Sequence, residues 1–129
     1  MTAPTVAVLT AVFVAGAAAG AGVVLAAGAR PAMRAEKKLD LTTTELRGRM
    51  RVTLNIDHWD PAAETREHRH PGPTIFYVLD GELEETSPEG VRTLKAGDAV
   101  WNAANRPHNV KNRSAAPARA LAVHLDPVR

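Results

Sequence analysis

The stretch from His68 to Gly81 constrains the fold more than any other: His-Arg-His-Pro-Gly-Pro, then Thr-Ile-Phe-Tyr-Val-Leu, then Asp-Gly. Thr74 to Leu79 is a β-branched and aromatic run closed by the turn signal Asp80-Gly81, which reads as a strand entering a hairpin. The Pro71-Gly72-Pro73 sequence in front of it is a turn. The segment is therefore a strand, a corner and a second strand. His68 and His70 stand one residue apart on extended backbone, where alternate side chains share a face, so both imidazoles can reach one ion. A third histidine, His108, closes a later segment of similar design, Gly97 to Asn112, with a short β run and a turn cluster before it. Three histidines carried on strands make one candidate metal site.

The chain around these segments also reads as β. Arg51 to Trp59 alternates, with Val52, Leu54, Ile56 and His58 on one face and Thr53, Asn55, Asp57 and Trp59 on the other, as a half-buried strand does. Asp60-Pro61 ends it. Glu82 to Thr86 continues the hairpin, Ser87-Pro88-Glu89-Gly90 turns, Val91 to Leu94 returns, and Leu121, Val123 and Leu125 alternate in a closing strand. Short strands with frequent turn signals, and no helical periodicity after residue 45, predict an all-β antiparallel barrel or sandwich. Residues 45–129 are expected to form that domain. Residues 30–44, charged, Pro-containing and Thr-rich, read as a linker.

Composition narrows the chemistry. A chain of 129 residues has room for one modest core. It has no cysteine, so any metal must be held by nitrogen and oxygen donors. A net charge of +2, with one Tyr, two Phe and two Trp, gives no sign of a nucleic-acid surface. The uneven placement of charge reads as solvated faces. No nucleophile triad, phosphate loop or paired-carboxylate motif is present.

Residues 6–29 carry no charge and are largely Ala and Gly. As a helix they would extend about 36 Å, enough to cross a bilayer core of ~30 Å. This predicts an N-terminal hydrophobic helix and a single-pass membrane protein. The basic residues that follow place the domain on the cytoplasmic side by the positive-inside rule. The rival is a cleaved signal peptide and export, since Ala27-Gly28-Ala29 is an A-x-A site, although Met1 to Thr5 lack the positive charge of a signal's front end. A third reading starts the chain at Met33.

The two histidine segments resemble the paired motifs of the cupin superfamily over roughly residues 45 to 126. The first motif is a Gly, His-x-His, a Glu and a closing Gly, and here its positions hold Ala62, His68, His70, Thr74 and Gly81. The second is a Gly, Pro-x-Gly, a His and an Asn, and here its positions hold Gly97, Ala103, Asn105, His108 and Asn112. Ala62 and Ala103 are small residues at turns, and Asn is the residue that best replaces Gly where positive φ is needed. Thr74 is the weightier departure, because the family's Glu is an anionic ligand and a neutral hydroxyl binds divalent ions poorly.

The resemblance implies a jelly-roll barrel, a dimer, and a divalent iron, manganese, nickel or zinc ion on His68, His70 and His108. Without the carboxylate the ion would keep its full +2 charge, which lowers resting affinity and favours an anionic fourth ligand. Thr74, Phe76 and Val78 share a strand parity and are expected to line the substrate pocket. His58 and His124, lacking a motif, read as surface or satisfied core residues. Two functions stay open: a small mononuclear metal enzyme, dioxygenase-like or isomerase-like on a small anionic or oxygen-rich molecule, and a non-catalytic small-ligand binding module with a degenerate metal site.

Overall fold

The computed structural model describes residues 32–129, of which Glu36–Arg129 form a compact unit. The apolar stretch 6–29 and the helix expected there lie outside the described residues. Seven strands follow in order: β1 (Met50–Trp59), β2 (Thr74–Asp80), β3 (Glu82–Ser87), β4 (Gly90–Lys95), β5 (Ala99–Asn102), β6 (Asn109–Lys111) and β7 (Ala118–Pro127). They form a four-stranded sheet in the order β1-β7-β2-β5 and a three-stranded sheet in the order β4-β3-β6, with every pairing antiparallel. This is the expected all-β jelly-roll. One expectation needs correction: no helix among the described residues is long and apolar enough to cross a membrane, so the single-pass membrane localisation is not upheld.

The core sits between the two sheets. Phe76 and Val78 of β2 are buried with Leu83 of β3, Leu94 of β4 and Val110 of β6, and the column Ala118, Ala120 and Ala122 of β7 completes the cluster. Each large side chain withdrawn from water here contributes about 1.5–3 kcal/mol. The alanines do the opposite service: they keep β7 thin, so that the barrel retains internal space.

The alternation of β1 and β7 is as expected, but the inward face is the other one. Trp59 is buried, whereas Val52, Leu54 and Ile56 remain 64%, 61% and 42% exposed. In β7 the alanines are buried, while Leu121, Val123 and Leu125 are only partly covered. The register pairs Val52 with Leu125, Leu54 with Val123 and Ile56 with Leu121, so the outer surface of the sheet carries an apolar stripe.

Part of that surface is covered from within the unit. Leu39, Leu41 and Leu46 share an outer groove with Ile75, Trp101 and Leu125. Glu45 fixes the segment by accepting hydrogen bonds from Trp101 Nε1 (3.1 Å) and Ala104 N (2.9 Å). Of the segment read as a linker, Leu39 and Leu41 reach this groove, with Leu41 still 41% exposed.

Two glycines are dictated by close approach. A Cβ on Gly72 would lie 1.9 Å from the carbonyl oxygen of Leu125. Gly81, at φ +78°, would place one 2.8 Å from the Pro117 oxygen.

Candidate metal centre

His68 and His108 are brought together by the backbone. They face each other across an isolated antiparallel bridge and exchange both main-chain hydrogen bonds, His68 N to His108 O at 3.0 Å and His108 N to His68 O at 2.9 Å. Directly opposed residues put their side chains on the same side of the pair. The imidazole centroids are 4.4 Å apart. His70, two residues further on, shares the face of His68, and its Nε2 lies 3.2 Å from His68 Nε2. Its loop is tied to the second histidine segment by Asn105 N, which donates to His70 O at 2.7 Å. Asn105 sits at φ +59° and Ala62 at φ +71°, so two positions where the resemblance calls for glycine do adopt the left-handed conformation.

The tautomers follow from the hydrogen bonds. His68 Nδ1 is 2.9 Å from Arg66 O and His108 Nδ1 is 3.0 Å from Arg106 O; a carbonyl only accepts, so Nδ1 carries a proton in each ring and the neutral form of each has Nε2 as its bare atom. Arg66 adopts φ +66°, a conformation costly for an arginine, beside the very ring its carbonyl orients. Burial lowers the pKa of His108, and burial with the neighbouring histidines lowers that of His70 to about 4. Both are therefore neutral at pH 7, the form that binds metal.

These residues fit a divalent ion. Ligand atoms of His68, His70 and His108 lie within 4.8 Å of one another. Two nitrogens held about 2.0–2.1 Å from a tetrahedral ion are about 3.4 Å apart, close to the 3.2 Å between His68 and His70.

The triad opens on a cavity of about 200 Å³ between the sheets. Thr74 and Phe76 line it. Val78 does not: it is fully buried in the hydrophobic cluster. Trp59 forms part of the wall, and its buried indole Nε1 has no partner among the described residues. Asp57 also lines the cavity, and burial raises its pKa.

His124 lies in the same wall, contrary to the reading that made it a surface or satisfied core residue. Its ring centroid is 4.6 Å from that of His70, nearer than His108 at 5.6 Å, and its Nδ1 is 3.2 Å from Thr74 Oγ1. The register places it directly across from Thr74. The one signal available in the sequence was parity: His124 keeps step with Ala118, Ala120 and Ala122, and out of step with Leu121, Val123 and Leu125. His58 is exposed.

An ionic network centred on one buried carboxylate stands behind His108. Glu85, 1% exposed, accepts from Arg92 Nε at 2.5 Å and Arg106 Nη1 at 3.3 Å. Arg106 also donates to Asn102, Ser87 and Glu89, leaving its backbone carbonyl fixed beneath the imidazole of His108. Hydrophobicity alone could not reveal Glu85, but its parity could, since it keeps step with the buried Leu83 on β3.

Two sheets enclosing a histidine-lined cavity define a small jelly-roll protein with a candidate metal centre inside it. The cupin domain model matches residues 55–124, and the chain belongs to that family. No curated protein matches it in sequence. Among solved structures, a cupin domain from Bordetella pertussis aligns with 24% identity and a TM-score of 0.52, covering 66% of this chain and 91% of that one. A sugar phosphate isomerase of the cupin superfamily from Silicibacter pomeroyi aligns with 24% identity and a TM-score of 0.54, over 59% and 51% of the two chains. The polyketide cyclase RemF from Streptomyces resistomycificus aligns with 23% identity and a TM-score of 0.55, over 62% and 58%. This chain thus spans about half the length of the isomerase, and the likeness is one of fold.

Proposed function

We propose that this cupin is a small mononuclear metal enzyme that holds a divalent ion on His68, His70 and His108 and acts on a small anionic or oxygen-rich molecule. The observation that carries the reading is the convergence of bare imidazole nitrogens at a cavity, with the rings of His68 and His108 each oriented by a backbone carbonyl. When bound, the ion would supply Lewis acidity and an open coordination position. Neutral imidazoles leave its charge uncompensated, which favours an anionic ligand such as an enolate, catecholate, thiolate or carboxylate.

The protein's own residues would do the rest. At about 200 Å³ the cavity is smaller than the roughly 300–1,000 Å³ of drug-sized sites, which restricts the ligand to a small molecule. Phe76 and Trp59 exclude water from one side, and the Trp59 N–H is an unspent donor in the wall. Thr74 and Asp57 offer a hydroxyl and a carboxyl to orient an oxygen-bearing ligand. Dioxygenase-like and isomerase-like reactions both suit such a site.

The test is metal analysis of the full chain after exposure to iron(II), manganese(II), nickel(II) and zinc(II), then oxygen uptake and product analysis with diketones, thiols, catechols and sugar phosphates. Stoichiometric metal lost in His68→Ala and His108→Ala, with turnover on one substrate class, supports the reading. Metal-free protein that still binds one of these molecules makes it a binding module instead.

The open stripe of Val52, Leu54 and Ile56 on edge strand β1 supports a homodimer as well. An edge strand of ten residues with an apolar face invites a second copy, which would cover both. Sedimentation of the full chain decides it: a monomer mass that stays constant to high micromolar concentration removes the dimer.

A further inference from the structure

We infer that His124 is a fourth nitrogen ligand of the site, oriented by the hydroxyl of Thr74, and that the pair replaces the carboxylate missing at position 74. The inference rests on the proposed metal site and adds a ligand from the last strand.

Four observations support it. The first is proximity, since the ring centroids of His124 and His70 lie 4.6 Å apart and the two residues share a cavity. The second is orientation: Nδ1 of His124 is 3.2 Å from Thr74 Oγ1, so Nε2 is the ring nitrogen left to coordinate an ion. His68 and His108 are arranged in the same way, each with Nδ1 on an oxygen and Nε2 unprotonated. The third is register, because β2 and β7 pair Thr74 with His124, so a long donor on one strand stands beside a side chain too short to reach an ion on the other. The fourth is anchoring. The corner carrying His70 is seated on β7 with no space for a Cβ at Gly72, and Leu125 N donates to Pro73 O at 3.0 Å, one residue from His124. The two rings are thus held together by main chain.

A site of four imidazoles differs in selectivity from one that includes a carboxylate. It favours borderline ions such as zinc, nickel, cobalt or copper over manganese and magnesium, which prefer oxygen donors.

The experiment loads metal-free full chain with cobalt(II) alone and measures chelator-competition affinity and the visible absorption bands. It compares the parent with His124→Phe, Thr74→Val and His68→Ala. Loss of a ligand in His124→Phe should weaken cobalt by about 100-fold and shift the bands, and loss of the orienting hydroxyl in Thr74→Val should weaken it by about 10-fold. Copper(II)-loaded parent, which needs no variant to fold, should show four coordinated nitrogens by electron paramagnetic resonance. Three nitrogens, or a His124→Phe protein with parental affinity and bands, overturns the role of His124. If His68→Ala has meanwhile lost its cobalt, the three-histidine site stands without it. A parent that binds neither ion overturns both.

Discussion

The two faces of the four-stranded sheet are built in opposite senses. The inner face of β1 carries Thr53, Asn55, Asp57 and Trp59, and its neighbours contribute Thr74, Phe76 and His124. The outer face carries Val52, Leu54, Ile56, Ile75, Leu121, Val123 and Leu125. In a solid sandwich the apolar face turns inward. Here the inner face encloses a cavity, and cavity walls that bind a polar ligand must carry polar groups. Apolar packing is concentrated lower in the barrel, around Val78, Leu83 and Leu94, while the outer face is left to be covered by residues 39–46 and, as proposed, by a second copy.

The largest test of this contrast is to remove one apolar side chain from each face. Phe76→Ala should cost about 3–5 kcal/mol, since the ring is buried at the core and cavity wall. Leu54→Ala should cost under about 1 kcal/mol in the isolated protomer, because most of Leu54 is already in water. Urea unfolding of both variants measures the difference, and equal losses would mean that the outer face is covered as thoroughly as the inner.

Acidification should act through the inner face. His70 takes up a proton near pH 4 in the folded protein and near 6.5 in the unfolded chain, because burial and the adjacent histidines oppose its charge. Between those values the unfolded state binds more protons, so stability falls as pH drops from 6.5 to 4 and does not recover below it. His108 adds in the same direction. Thermal melts of metal-free protein across this range should show the decline, and His70→Phe should flatten it. A pH-independent melting temperature in the parent would place His70 in water.

On the outer face, Leu54→Lys should leave the protomer's unfolding within about 0.5 kcal/mol of the parent, yet abolish self-association. Sedimentation velocity reads the second effect. A dimer that survives the substitution pairs through some other surface.

The smallest effect belongs to the turn entering the site. Ala62 holds φ +71° without the freedom of glycine, so Ala62→Gly should stabilise the fold by about 0.5–1 kcal/mol. A loss in the denaturant midpoint would show that the alanine methyl makes a contact worth more than the strain.

Much of this protein could be read from the order of its residues. The Pro-Gly-Pro corner, the Asp80-Gly81 turn and the period-two runs are local signals that produced the expected corner, turn and strands, but the strand expected to carry His68 and His70 did not form, and His68 takes part only in an isolated bridge. His68, His70 and His108 were legible because their spacing places two on one face and puts the third after a turn of its own. What the chain order could not supply was the sign of the alternation. A period of two states that Val52, Leu54 and Ile56 share a face, but which face turns inward depends on the sheet packed opposite, and here that sheet helps enclose a polar cavity. His124 was missed for the same reason. It lies 50 residues from Thr74, and only the pairing of β2 with β7 makes them neighbours. Local sequence determined the strands, the corners and three of the histidines; the antiparallel register and the stacking of two sheets decided which side chains meet, because those contacts join residues far apart in the chain.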